Sequence, residues 1–340
     1  MISRMDIPPT RRVAIDAPVT GLAFGRDGKT LGIAGGDGRV HVVPTDTLER
    51  PGTPEPAHGG AALALSADPA GDGFVTGGDD GRLLRHAGDG SASEIDTIKG
   101  RWLDRLAGHG KTGALAVAAG KDVIVHGANG SRRVLEAHPS TVADLDFNPD
   151  GSRLVVAHYG GVTLHELKPA ATPRRLLEWK GSHLTVRYSP DNRFVATSTQ
   201  DNALHIWRMA TGKDMQMQGY PTKVKQIAWS ADSRFLYSSA AEHFIAWSFA
   251  GKGPEGKPPM EYGEDGAGLI TAIAAHPSAE FVVAGYDTGE VQLGDGKTRA
   301  VATIRLAGDS PVTHVAWVPD GWHIAVAGES GNVDVVDLRR

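Results

Sequence analysis

The sequence predicts an all-β fold, a β-propeller of eight four-stranded blades, with seven blades as the alternative. Three observations predict it. One unit recurs eight times: a short apolar strand, a tight turn, a second apolar strand, a Gly/Asp turn and a third strand. The last residues of the first strands are Phe24, Leu65, Gly108, Phe147, Tyr188, Trp229, Ala275 and Trp317. They repeat at a period of roughly 40–45 residues, the length of a propeller blade. The turns use the residues a tight reversal needs, at a fixed offset from each anchor. Proline presets φ, Asp bonds back to its own backbone, and Gly or Asn tolerates positive φ. The third strands alternate with the period of two expected of a sheet. A lone blade could not bury its apolar faces, so the repeats must be stacked together.

Along the chain, residues 1–10 read as a tail and 11–340 as a single propeller domain. Arg11 to Ile15 form an orphan strand. The first unit then turns at Gly25-Arg26-Asp27-Gly28, runs through Leu31 to Ala34, turns again at Gly35-Gly36-Asp37-Gly38 and ends on Val40-His41-Val42. The second turns at Gly78-Asp79-Asp80-Gly81. The third, Leu103 to His126, is the most degenerate; read as an irregular insertion it would leave seven blades. The fourth to sixth turn at Asn148-Pro149-Asp150-Gly151, Ser189-Pro190-Asp191-Asn192 and Ser230-Ala231-Asp232-Ser233. A Gly/Pro-rich stretch, Gly251 to Pro259, reads as a surface loop before the seventh unit, which turns at His276-Pro277-Ser278-Ala279. The eighth turns at Val318-Pro319-Asp320-Gly321 and closes on Val333 to Leu338.

Two stretches carry a family resemblance. His138 to Asp150 resembles the His-x-x-x-Val-x-x-Val-x-Phe-Ser-Pro-Asp segment of the WD-repeat family, and Ser198 to Trp207 resembles its Ser-x-Asp-x-x-Ile-x-x-Trp segment. The repeats depart from the pattern: no unit holds all four members of the family's His/Ser/Asp/Trp network, and third-strand tryptophans stand only at Trp207 and Trp247. Stability is therefore expected to rest more on apolar packing than on that network. The resemblance implies that the orphan strand becomes the outer strand of the last blade, closing the ring and hiding sheet edges. It also implies that loops before first strands and between second and third strands share one face, which docks partner proteins.

Composition sets the exclusions. Hydrophobic content of 40% and charge of 22% suit a globular protein, and 44 glycines suit a chain with so many turns. A net charge of −5 gives no basic footprint for nucleic acid. The absence of cysteine removes disulfides and thiolate metal sites, and no apolar run is long enough to span a bilayer. The start, Met1 to Asp6, lacks the apolar core of a signal peptide, so a cytoplasmic location is expected. The Ala/Gly/Arg-rich, cysteine-free composition suggests a bacterial source. Gly251 to Gly256 fits G-x-G-x-x-G as text, yet prolines follow where a phosphate site needs a helix. No nucleophile elbow or zinc helix occurs, and no cofactor is expected.

Function is thus expected to be non-catalytic: a protein–protein interaction scaffold with unidentified protein partners. The candidate partner-binding face is Trp179, His183, Tyr220, Lys223, His158, Tyr159, Gln200, His243 and Tyr286, because aromatic and mixed polar residues on rigid loops make binding hot spots. The alternative is a small-ligand or metal-binding propeller, possibly enzymatic, using polar residues at a channel mouth. Alternation along the first strands points Arg105, Asp144, Asp146, Arg187, Gln226 and His314 inward, where most other units place Ala or Gly. The bland reading of that set is a structural ion-pair belt that holds the degenerate third unit against the fourth. The 14 histidines lack the paired local spacing that would select metal ligands.

Overall fold

The computed structural model describes residues 7–50, 52–168, 174–251, 253–263, 265–308 and 310–339. The Met1 to Asp6 start and Lys252 of the glycine loop lie outside the described residues. In chain order the strands are β1 (Thr10–Ala14); β2 (Val19–Phe24), β3 (Thr30–Gly35) and β4 (Val40–Pro44); β5 (Ala62–Ala67), β6 (Phe74–Gly78), β7 (Arg82–His86) and β8 (Ala92–Thr97); β9 (Arg105–His109), β10 (Ala114–Ala119), β11 (Asp122–His126) and β12 (Arg132–Val134). Then follow β13 (Asp144–Phe147), β14 (Arg153–Glu166), β15 (Arg175–Tyr188), β16 (Phe194–Thr199), β17 (Ala203–Arg208) and β18 (Asp214–Met217). The rest are β19 (Ile227–Trp229), β20 (Phe235–Ser238), β21 (Phe244–Ser248), β22 (Met260–Tyr262), β23 (Ile270–Ala275), β24 (Phe281–Tyr286), β25 (Val291–Asp295), β26 (Val301–Arg305), β27 (Val312–Trp317), β28 (His323–Gly328) and β29 (Asn332–Asp337).

These strands form seven sheets, the blades of a seven-bladed β-propeller, which corrects the expected count of eight. The degenerate third repeat is not the cause, because β9 to β12 make a complete four-stranded sheet. The fourth and fifth repeats instead share one six-stranded sheet in the order β13-β14-β15-β16-β17-β18. Glycine makes the merger possible. β14 continues through Gly160 (φ 92°) and Gly161 (φ 137°), and β15 through Gly181 (φ 113°), so the chain bends by a bulge instead of leaving the ladder. At Gly161 a Cβ would run into the carbonyl oxygen of Leu177 on the paired strand.

The sheet order β1-β29-β28-β27 makes the N-terminal strand the outer strand beside the last repeat. Arg12 holds it there with a two-pronged bond to the carboxylate of Asp334 (2.7 and 2.9 Å), to which Arg305 adds a third contact at 3.0 Å. Second strands such as β6, β16 and β28 are buried at every residue, whereas outer strands such as β8 and β12 are mostly exposed. That gradient explains why second strands read as unbroken apolar runs.

Two compact units divide the chain: Val13–Val186, and Arg187–Arg340 together with Met1–Arg12. The first buries Val75, Leu83, Leu103, Leu115 and Val117 in one cluster and Leu145, Phe147, Leu154 and Val156 in another. In the second, Phe249 meets Phe194 and Trp229 edge-on at ring distances of 4.8 and 4.6 Å, and Phe244 stacks on Tyr262; such aromatic pairs add to the stabilisation from burial.

Candidate functional site

The most prominent exposed aromatic of the Val13–Val186 unit is Trp102, which is 67% exposed. Its neighbour explains its position. Leu103 is fully buried among Val75, Leu83 and Leu115, and its N–H donates to the Gly78 carbonyl at 3.0 Å. A Cβ on Gly77 would overlap the Leu103 carbonyl, so glycine is what lets the loop sit this close. With Leu103 pinned inward, the adjacent indole is turned to solvent on a rigid base.

Contacts run from this loop to the neighbouring loops of the same unit. The Arg101 guanidinium lies against Gly120. The Gly120 carbonyl accepts from Val142 N–H (2.8 Å), and Lys121 Nζ donates to the Pro139 carbonyl (3.1 Å). Ser140 Oγ accepts the Tyr159 N–H (2.8 Å), and Tyr159 pairs across the ladder with Ser182. Tyr159 is 56% exposed, and Trp179 is half-buried. Exposed Lys99 and Arg101 flank Trp102 along the chain, and exposed Glu178 and Lys180 flank Trp179; Asp104 pairs with Arg105 at 3.2 Å.

Beneath the loops lies a frame of neutral histidines. His158 Nδ1 donates to the Tyr159 carbonyl (2.8 Å), so its Nε2 accepts from the Thr163 hydroxyl (2.8 Å). His138 likewise donates through Nδ1 to the Lys121 carbonyl, which makes His165 Nε2 the donor of the 2.9 Å bond between the two rings. His183 Nε2 bonds to the Trp179 carbonyl at 3.2 Å. Burial lowers the pKa of all four, that of His165 to about 3. They are therefore uncharged frame members at neutral pH, and His158 and His183 are both buried.

The second repeat carries a four-member relay that motif matching missed. Asp80 Oδ1 accepts from His58 Nδ1 (3.1 Å), His58 Nε2 accepts from the Thr76 hydroxyl (2.8 Å), and Thr76 Oγ1 accepts from His86 Nε2 (2.8 Å). His86 stands where the family pattern has tryptophan. Burial lowers the His86 pKa to about 4, helped by the neighbouring His58. Burial alone would raise the pKa of Asp80, but the Gly59 and Arg82 N–H groups and His58 hold it below the usual range.

In the other unit, Tyr220 is buried and accepts from Trp247 Nε1 (2.8 Å) while sharing a 2.7 Å bond with Ser238; burial pushes its pKa up to about 12. Tyr286 is fully buried and donates to Gln292 Oε1 (2.9 Å). Lys223 and Gln200 are exposed, and half-exposed His243 bonds to Asp265 at 2.9 Å. Among the residues expected to point inward, Asp144 accepts from Thr185 Oγ1 (2.7 Å) and Val186 N–H (3.0 Å). Arg105 donates to the Ala143 carbonyl (2.6 Å), Gln226 accepts from Ile273 N–H (2.9 Å), the Arg187 carbonyl accepts from Trp229 Nε1 (3.4 Å), and His314 bonds to Thr313 Oγ1 (3.0 Å). Asp146 is half-buried. Asp144, Arg105 and Gln226 thus staple a strand to the next repeat. Among the described residues no group of three or more His, Asp or Glu could hold a metal ion, and no helix is long and apolar enough to cross a membrane.

A family model described as "WD domain, G-beta repeat" matches residues 129–162 and 176–208. The fold is a WD40-type β-propeller. Those two segments span β12 to β17, of which β13 to β17 belong to the merged six-stranded sheet. Among curated proteins, the propeller is 25% identical over 187 residues to eukaryotic translation initiation factor 3 subunit I of Aspergillus fumigatus, covering 48% of this chain and 53% of that protein. It is 24% identical over 239 residues to nuclear distribution protein PAC1 of Arthroderma otae, covering 61% and 51%. It is 23% identical over 176 residues to transcription initiation factor TFIID subunit 5 of Caenorhabditis elegans, covering 52% and 26%. The propeller thus spans about half the length, or less, of these relatives. They are fungal and nematode proteins and lend no support to the bacterial source suggested by composition. Among solved structures, a computationally designed protein, Ika8, superposes with a TM-score of 0.77 at 19% identity, over 95% of this chain and 97% of that one.

Proposed function

We propose that this propeller is a non-catalytic protein–protein interaction scaffold whose docking surface is the set of loops around Trp102, Tyr159 and Trp179. The observation that carries the reading is Trp102, 67% exposed beside a Leu103 that is fully buried. A rigidly held aromatic loses little conformational freedom on binding and is the residue type that anchors hot spots. The exposed Lys99 and Arg101 beside Trp102 favour a partner with carboxylates flanking an apolar residue. Two of the relatives are named as subunits of larger factors, which supports a role within an assembly. The test is quantitative affinity capture with purified wild type, a Trp102→Ala/Tyr159→Ala double variant, and Leu306→Ala, which removes an exposed side chain of the other unit. Partners held by wild type and Leu306→Ala and lost by the folded double variant support the proposal. Equal retention by all three refutes it.

A further inference from the structure

A cleft of about 360 Å³ opens in the Arg187–Arg340 unit, where the segment that follows β18 passes beside β21 and β22. Its floor is apolar. Ile245 and Trp247 share one face of β21 and belong to a buried cluster with Met217 and Tyr220. Trp247 Nε1 donates to the Tyr220 hydroxyl at 2.8 Å, and that hydroxyl shares a 2.7 Å bond with Ser238, so both rings are fixed in place. Pro221 and Pro259 add flat apolar rings to the walls.

The rim carries charge of one sign. Glu261 of β22 stands directly across the ladder from Ile245, and Glu242 lines the cleft ahead of β21. Both carboxylates are exposed, and neither takes a hydrogen bond or an ion pair among the described residues. Burial raises the Tyr220 pKa to about 12 and the Glu261 charge adds to that rise, so this carboxylate lies within reach of the floor. Among the described residues no lysine or arginine lines the cleft. His243, which does, bonds to Asp265 at 2.9 Å, and this brings a third carboxylate to the edge. An apolar slot rimmed by unmatched anions suits a guest with an apolar stem and a cationic head. Arginine fits better than lysine, because its planar guanidinium lies flat on aromatic and prolyl rings and forks onto carboxylates. The source is constrained as well. A free amino acid would bring its own carboxylate to a cleft with no cation to receive it, whereas an arginine within a chain is flanked by neutral amides.

We infer that this cleft is a docking site for an arginine side chain of a partner protein. The stem of that side chain packs against Ile245, Trp247 and Pro259, and its guanidinium meets the carboxylates of Glu261 and Glu242. The site belongs to a different unit from the Trp102 loops and stands independently of the role assigned to them.

The probe is the capped peptide acetyl-Gly-Ala-Arg-Ala-Gly-amide, titrated into the full chain and followed by nuclear magnetic resonance at the Trp247 indole N–H and at the backbone amides of residues 218–220 and 242–245. Saturable shifts concentrated at these groups are expected. Affinity should fall about tenfold or more when citrulline, the neutral isostere, replaces the arginine of the peptide, and by a similar factor in the Glu242→Gln/Glu261→Gln variant. The thermal midpoint of that variant should stay near wild type, because neither carboxylate has a partner in the fold. Free arginine should bind more weakly than the peptide. No shifts at millimolar peptide, equal binding of the citrulline peptide, or undiminished binding by the folded double variant overturns the inference. Free arginine binding as tightly as the peptide would make the cleft a small-molecule site and also overturns it.

Discussion

Replacing Thr76 by valine keeps the shape of a fully buried side chain but deletes the oxygen at the centre of the Asp80–His58–Thr76–His86 relay. His58 Nε2 loses its donor and His86 Nε2 loses its acceptor, and both rings are buried. An unsatisfied buried polar group costs about 1–3 kcal/mol. Two such groups, less the small gain from an extra buried methyl, give about 1–5 kcal/mol, a large share of a typical stability of about 5–15 kcal/mol. Urea unfolding followed by tryptophan fluorescence should show the midpoint falling with little change in slope. Thr76→Ser, which keeps the hydroxyl, should lose no more than about 1–1.5 kcal/mol, the value of the missing methyl. A loss below about 0.5 kcal/mol for Thr76→Val, or one no larger than that of Thr76→Ser, would refute the relay as a stabilising network.

Three further outcomes follow from the buried polar groups. Asp334 is 1% exposed and faces both Arg12 and the nearly buried Arg305; Asp334→Ala leaves Arg305 without its carboxylate and should cost about 3–5 kcal/mol by chemical denaturation, whereas Arg12→Ala, at a half-exposed side chain, should cost much less. Burial lowers His86 to about 4 and His165 to about 3, so the unfolded chain takes up protons first. The stability these groups contribute is complete above about pH 6.5 and is lost as pH falls through the folded values, about 3 kcal/mol for His86 alone at 1.36 kcal/mol per unit; urea midpoints should drop steeply from pH 7 to 4 and change little from pH 7 to 8. Tyr220→Phe removes the oxygen that serves Trp247 and Ser238 and should cost about 1–3 kcal/mol, with a change in Trp247 emission.

Much of the strand plan was legible from turns and apolar runs, because Pro, Asp and Gly at fixed offsets encode local backbone geometry. The blade count was not. Whether the fourth and fifth repeats part or merge depends on how Gly160, Gly161 and Gly181 are bent, and glycine is permissive in either case. The relay escaped notice because the pattern required tryptophan where His86 makes the equivalent bond. His158, His183, Tyr220 and Tyr286 read as loop or loop-edge residues available to a partner, but their bonds run to carbonyls, hydroxyls and an amide that only the folded chain brings near. Trp102 opens the most degenerate repeat, where the family pattern gives no guide. Its signal was the Trp-Leu pair itself, in which burying the leucine turns the indole out.

The interaction role is tested most directly by placing a photo-cross-linking amino acid at position 102 and, separately, at position 306 in the full chain, then illuminating each in cells. The account predicts that a discrete partner is cross-linked from position 102 and not from 306. Cross-linking from 306 alone, or none from either position in a folded protein, would contradict it.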